Sequence, residues 1–231
     1  MARTGFALKS VRTTHLAPPG VGTRYFGVSG RLWGLAAVAL AVVVATNLLD
    51  LKIYQFRVRV LDANWQFSWS HDLDTLALAI GVVVTAVGAR RHPRHRALWS
   101  ASAVILALFL LDEVSPLHAE IGHVSKLLYA PILVGLAACV WLLADRTAQR
   151  PVALLGLATL LICFGMHVVG LTVLRPIGYM SVPYQLGVGL KEGTELAGLL
   201  IVLCALAALA RRNELRSGRV PGRVVGRATP R

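Results

Sequence analysis

Six apolar runs divide this chain, and they constrain its fold more than any other feature. They extend from Leu32 to Leu49, Leu76 to Ala89, Ala97 to Leu111, Leu127 to Ala144, Val152 to Leu174 and Leu196 to Ala210. Long runs with almost no charge mark membrane spans. Inside a bilayer every backbone amide needs an internal partner, so each run is predicted to be a helix. The second and third runs fall short of the ~20 residues that cross hydrocarbon. Flanking residues complete them, with Arg90 and Arg96 snorkelling at one end. Composition agrees. Of 231 residues, 56% are hydrophobic and 15% charged, with a mean hydropathy of +0.64. That is too apolar for an ordinary soluble domain. The expected class is an all-α integral membrane bundle of six transmembrane helices. The first run is long and starts late, so it reads as an uncleaved anchor and not a signal peptide.

Charge sets the orientation. The amino-terminal tail carries Arg3, Lys9, Arg12, Arg24 and Arg31, and the loop after the second run holds Arg90, Arg91, Arg94 and Arg96. Arg146 and Arg150 follow the fourth run, and seven arginines lie between Arg211 and Arg231. These four segments hold 18 of the 24 basic residues. By the positive-inside bias both termini are expected to be cytoplasmic, in a multi-pass protein of the cell membrane. The organisation read from this is a basic tail over residues 1–30, a six-helix domain over 31–210 and a basic disordered tail over 211–231. The formal charge of +13 suits anionic lipid headgroups at the tails, at ~1 kcal/mol per Arg near the surface. It is not read as a nucleic-acid surface.

The same orientation puts Asp50, Asp62, Asp72, Asp74, Asp112, Glu113, Glu120, Glu192 and Glu195 outside and only Asp145 and Glu214 inside. Acids contribute little to the positive-inside rule, so this bias needs its own cause. Asp72 and Asp74 begin the second run and Glu192 begins the sixth, where an acid caps amides and meets the positive dipole end. Glu195 lies a turn deeper and shares a face with Glu192. At that depth an acid needs a partner or a water-filled cavity. Asp112 and Glu113 end the third run, where the dipole disfavours them. Pro116 predicts that this helix ends or kinks near Ser115.

His118 borders an apolar stripe of Leu117, Ile121 and Val124 on an expected interfacial helix. Glu120 and His123 match a single Glu-x-x-His element of di-iron bundles, with no second copy, and read as solvated. His167 interrupts the fifth run. An intramembrane histidine is a functional candidate, beside the alternative of a neutral ring bonded to a neighbouring helix. Gly170 is expected to let a neighbour approach that face. Cys139, Cys163 and Cys204 lie in apolar runs and read as small buried hydrophobes. Trp65, Phe67 and Trp69 alternate with Gln66, Ser68 and Ser70. The alternation reads as an extended interfacial strip, with a lid over an external pocket as the alternative.

Phe109-Leu-Leu-Asp-Glu-Val-Ser-Pro-Leu-His118 resembles the Asp-Glu-x4-His signature of a group of uncharacterised multi-pass bacterial membrane proteins, where it closes a transmembrane helix. Lys191-Glu-Gly-Thr-Glu-Leu-Ala-Gly198 resembles their Glu-Glu-x-x-Glu-x-x-Gly element, which opens the last helix. Ala119 and Lys191 stand where that group commonly has Glu, and His167 stands where an acid is expected. The resemblance implies a six-helix bundle with a site of Asp112, Glu113, His118, His167, Glu192 and Glu195. It implies no activity.

Three functions compete at this point. The first is an outward-facing site for a divalent metal such as Zn, Fe or Mn, acting on a lipid-like substrate. The second is a non-enzymatic membrane component whose polar cluster is structural. The third, ranked lowest, is a proton- or cation-coupled transporter, because polar residues are absent from the inner halves of the runs. No nucleophile motif, phosphate loop or haem pair is present.

Overall fold

The computed structural model describes residues 24–25, 28–63, 65, 67–115, 124–145 and 147–211. The readings of His118, Glu120 and His123, and most of both basic tails, lie outside those residues. Six long helices are described: α1 Gly30–Leu49, α2 Trp69–Arg91, α3 Arg96–Val114, α4 Val124–Ala144, α5 Arg150–Gly165 and α6 Val182–Arg211. The described strands are a two-residue antiparallel pair, Arg24–Tyr25 with Val28–Ser29. By length and composition five helical stretches can cross a membrane: Gly30–Tyr54, Trp69–Arg91, Pro93–Val114, Arg150–Ile177 and Val182–Arg211. Tyr129–Ala144, inside α4, is a shorter apolar stretch.

The last helix begins far earlier than the Leu196 expected from hydropathy. It starts at Val182, where the Ser181 hydroxyl accepts the Tyr184 amide at 3.3 Å. Pro183 sits in its first turn, a position where the missing amide hydrogen costs nothing. Glu192 therefore caps nothing. It stands ten residues inside α6, roughly 15 Å along the axis at 1.5 Å per residue. Pro183 and Tyr184 belong to this helix. The second helix also begins earlier than expected, at Trp69. Trp65, Phe67 and Trp69 consequently form no extended strip. Trp65 and Phe67 are exposed in a turn, Ser68 and Ser70 are buried, and Trp69 Nε1 donates to Thr46 Oγ1 at 3.2 Å.

Helix α6 is the hub, with α1, α2 and α5 packed against it. Its glycines make this possible. A Cβ on Gly193 would lie 3.0 Å from the Leu40 Cα, and one on Gly189 would lie 3.0 Å from the Val44 Cα. On the α5 side, a Cβ on Gly156 would lie 2.9 Å from the Val202 amide nitrogen, and one on Gly198 would lie 3.1 Å from that of Leu160. Gly189 and Gly193 thus act as a small-xxx-small pair, the device by which membrane helices bring backbones together. Gly170 plays no such part, since a Cβ there would meet only Met166 Cβ at 3.8 Å.

A polar latch ties the α1–α2 loop to the start of α6. Asn47 Nδ2 donates to Gln185 O at 2.8 Å and to Gln185 Oε1 at 3.0 Å, and Asn47 Oδ1 accepts the Ala63 amide at 2.9 Å. Gln185 Nε2 donates to Tyr179 O, and the Tyr179 hydroxyl donates to Asp62 Oδ2, both at 2.8 Å. Asp50 Oδ1 accepts the Val58 amide at 3.3 Å. These bonds account for Asp50 and Asp62 as members of the loop's anchorage.

Two predictions follow from this packing. Gly193→Val should force α1 off α6 and destabilise the fold by about 1–3 kcal/mol, whereas Gly165→Ala, with nothing within 4 Å of the added carbon, should not. Thermal unfolding of the two detergent-solubilised variants checks this; equal melting points would contradict the close approach. Asn47→Ala should cost about 1–3 kcal/mol by stranding buried partners. Protease cleavage in the α1–α2 loop should rise in parallel, and an unchanged cleavage rate would show that the latch does not hold the loop.

Candidate functional site

A cavity of about 180 Å³ opens between α2, α3, α4, α5 and α6. It is lined by Leu78, Phe109, Leu133, Leu136, Leu160, Phe164 and Leu199 and by the polar residues His71, Asp112, Glu113, Tyr129, Cys163, His167, Lys191 and Glu195. One water needs roughly 10–15 Å³ by this measure, so the space holds several waters or a small ligand.

The polar groups come from α2, α3, α4, α6 and the fifth span. Antiparallel α2 and α3, joined by the tight turn Pro93–His95, bring the start of one beside the end of the other. His71 Nδ1 there makes a short ion-paired hydrogen bond with Glu113 Oε1. Asp112 Oδ2 accepts the hydroxyl of Tyr129 on α4, whose ring stacks on Phe109 with centroids 5.9 Å apart. Helix α3 ends at Val114 with Ser115 extended ahead of Pro116, as the proline predicts.

On α6, Lys191 Nζ lies 2.6 Å from Glu192 Oε1 and 3.9 Å from Glu195 Oε2. The i, i+1 and i+4 spacing sets both acids around one ammonium. Cys163 of α5 donates its thiol to Glu195 Oε2 at 3.4 Å. His167 follows it by four residues, inside a π-helical turn, Met166–Gly170, that interrupts the fifth span beside the cavity. Such turns occur frequently at functional sites. Cys139 and Cys163 are buried as expected, but Cys204 is exposed.

Asp74 departs most from expectation. It is not a cap: Ser68 precedes the helix, Asp72 is the exposed acid of its first turn, and Asp74 is 2% exposed with Oδ1 lacking any partner.

Of the six residues predicted as a site, Asp112, Glu113, His167 and Glu195 line the cavity, and Glu192 stands behind it on Lys191. His118 falls outside the described residues. Sequence reasoning missed His71, Asp74, Tyr129, Cys163 and the positive role of Lys191. The signal was present for two pairs: His71 and Asp74 share a face by i, i+3 spacing, and Cys163 and His167 by i, i+4. Among the described residues no group of three or more His, Cys, Asp or Glu is arranged to hold a metal ion. Instead the carboxylates take separate donors: tyrosine, imidazole, ammonium and thiol.

Fold and cavity together define a helical bundle of membrane-spanning type with an ionisable site in its interior. The chain belongs to the family described as a domain of unknown function, DUF8692, which matches residues 34–210. That match runs from the second turn of α1 to the last turn of α6. No curated protein and no solved structure matches the chain.

Tyr129→Phe tests the site's internal wiring. It keeps the ring stack and removes the hydroxyl given to Asp112, which should lower stability by about 1–3 kcal/mol. Chemical denaturation in detergent measures it, and an unshifted midpoint would show that the bond contributes nothing.

Proposed function

We propose that this chain is a six-span integral membrane protein, both termini cytoplasmic, whose interior cavity binds a small amphiphilic molecule from the outer side. The observation that carries the reading is the mixed lining: seven apolar and eight polar side chains border one space of about 180 Å³. Ligand pockets combine these features, with an apolar body and a few converging polar groups. A purely structural cluster would leave no such room, since protein interiors pack closely.

The charge layout supports the orientation. Arg90, Arg91, Arg96, Arg150 and Arg211 stand at one end of the helices, with Arg150 also 4.2 Å over the Trp141 ring and 3.4 Å from Asp145. Asp50, Asp62 and Asp72 stand at the other.

Transport is the weaker reading because the cavity is blind. Toward the arginine end, the Thr85, Ser102 and Thr159 hydroxyls donate to their own helices' carbonyls, at 2.8, 2.9 and 2.9 Å. Between them the buried side chains are apolar, among them Trp99, Val140, Val202 and Leu206. A relay needs groups on both sides. Metal-assisted hydrolysis is also weaker, because the described acids are spread over separate donors.

Two measurements test the proposal. Protein purified from its membrane should carry a small amphiphile, detected by mass spectrometry after extraction. Leu133→Trp, which fills the cavity, should lose it; identical extracts from both proteins would defeat the binding reading. A fluorescent-protein fusion at the carboxy terminus should be bright, as cytoplasmic fusions are, and a dark fusion with an active periplasmic reporter at the same position would reverse the orientation.

A further inference from the structure

Two loops at the end of the bundle opposite Arg90 and Arg211 carry charge that the positive-inside bias does not explain. Of the 24 basic residues, 18 lie in the four segments expected to be cytoplasmic, and four of the remaining six are Lys52, Arg57, Arg59 and Arg175. All four are exposed. Lys52 and Arg175 fall in the last turns of the apolar stretches Gly30–Tyr54 and Arg150–Ile177, and Arg57 and Arg59 lie just beyond the first of these. At the ends of spans such side chains reach headgroup phosphate. Among the described residues none of the four enters a salt bridge, whereas Arg150 at the other end pairs with Asp145. The acids within these two loops, residues 50–68 and 175–181, are Asp50 and Asp62. Both are buried, and they accept the Val58 amide and the Tyr179 hydroxyl. The exposed charge of the loops is therefore positive, and the next acid along the chain is Asp72, exposed in the first turn of α2.

The two loops make one surface. The rings of Phe56 and Tyr179 lie 5.0 Å apart, and the Tyr179 hydroxyl reaches Asp62 at 2.8 Å. The turn that brings Phe56 there is strained, with φ of 49° at Gln55 and 60° at Phe56. Left-handed backbone at residues with side chains persists where the surroundings fix it. Here the Phe56 amide donates to Asp50 O at 3.3 Å and the Arg57 amide to Tyr54 O at 3.0 Å. Beyond the ends of the spans, Val60, Phe67 and Met180 are each more than half exposed, and Trp65 is exposed with the Arg59 guanidinium 4.6 Å over its ring. Cations interleaved with aromatic and apolar side chains at this depth are the composition of a membrane interface. An aqueous polyanion would meet the cations and leave the apolar side chains in water, whereas a bilayer surface covers both.

We propose that loops 50–68 and 175–181 form a platform on the membrane surface that gathers anionic lipid. Lys52, Arg57, Arg59 and Arg175 hold the headgroup phosphates, and Val60, Phe67 and Met180 dip below them. A zwitterionic headgroup brings its own cation to such a cluster and an anionic one does not, which sets the preference. The platform goes beyond the cavity reading and depends only on the bundle spanning a membrane.

A fluorophore on the platform tests this. Val60→Cys is labelled with bimane in a Cys139→Ala, Cys163→Ala, Cys204→Ala background, and the full chain is placed in phosphatidylcholine nanodiscs. A small, equal fraction of nitroxide-labelled lipid is added, either phosphatidylcholine or phosphatidylglycerol, with the nitroxide high on the acyl chain. Nitroxide quenches only at short range, so lipid gathered by basic residues at the arginine end does not contribute. Both labelled lipids should quench, and phosphatidylglycerol should do so about twofold more strongly or better. With Lys52, Arg57, Arg59 and Arg175 all changed to Gln, the two should quench alike. Equal quenching on the parent protein would overturn the anionic preference. Absence of quenching by either lipid would put the loops in water and overturn the platform altogether. A preference for phosphatidylglycerol that persists in the fourfold variant would overturn the assignment to these side chains. Should that variant not fold, high salt on the parent protein supplies the same contrast, because it screens exposed charges. The ratio should then fall toward one, and a ratio indifferent to salt would overturn the electrostatic basis.

Discussion

Close contact between the backbones of α1, α5 and α6 is the constraint on which the rest depends. Lipid tails are as apolar as leucine, so no hydrophobic force draws helices together in a bilayer. Dispersion contacts and interhelical hydrogen bonds must do so, and both need short distances. Gly189 and Gly193 let α1 against one side of α6, while Gly198 of α6 and Gly156 of α5 bring the other side together. Those same turns of α6 carry Lys191, Glu192 and Glu195. A helix bearing three charges near its middle is held in the interior because small residues around those charges give it neighbours to pack on. The charged triplet thereby faces protein and cavity instead of hydrocarbon.

That arrangement explains what hydropathy could and could not reveal. The runs around α1, α3 and α5 stand out because lipid faces much of their surface, leaving long exposed apolar faces such as Val104, Leu108, Leu161 and Ile162. Helix α6 is mostly surrounded by protein, so lipid does not dictate its side chains. Gln185, Lys191, Glu192 and Glu195 can occur in it, and they dilute the apolar signal over its first half. The start signal lay instead in Ser181 and Pro183, which act through local backbone chemistry and are blind to hydropathy. For the same reason α2 reads short: His71, Asp72 and Asp74 interrupt its first turns, yet His71 and Asp74 point into the bundle and help to build it. Family membership over residues 34–210 takes in this whole arrangement without naming its use.

The acids gathered at one end of the helices turn out to serve separate purposes, which spacing alone could not separate. Asp62 and Asp50 anchor a loop; Asp62 accepts from Tyr179, and Asp50 from the Val58 amide. Asp72 sits exposed at a helix start, where a negative charge meets the dipole favourably. Asp112, Glu113 and Glu195 border an open space, Glu192 is held by Lys191, and Asp74 is buried in α2. Local sequence looks similar in all these cases. What differs is the partner contributed from a distant part of the chain, which only the fold supplies. His71 and Glu113 are 42 positions apart and still touch.

The site's form also narrows the chemistry it can support. A relay that moves protons across a membrane needs polar groups on both sides, and toward the arginine end the described buried core is mainly apolar. Among the described residues, tyrosine, imidazole, ammonium and thiol each engage a carboxylate. What the described residues form is a chamber lined by seven apolar and eight polar side chains. Its polar members are already linked in pairs across α2–α3, α3–α4 and α5–α6, so an occupant meets groups whose positions are largely set before it arrives. Preorganisation of that kind reduces the ordering cost of binding. The π-helical turn at His167 is the local irregularity in this frame. A widened turn places its imidazole beside the cavity while Cys163, four residues earlier, keeps its contact with Glu195. The fifth helix thus presents two polar groups to one space, at the cost of a single break in its regular hydrogen bonding.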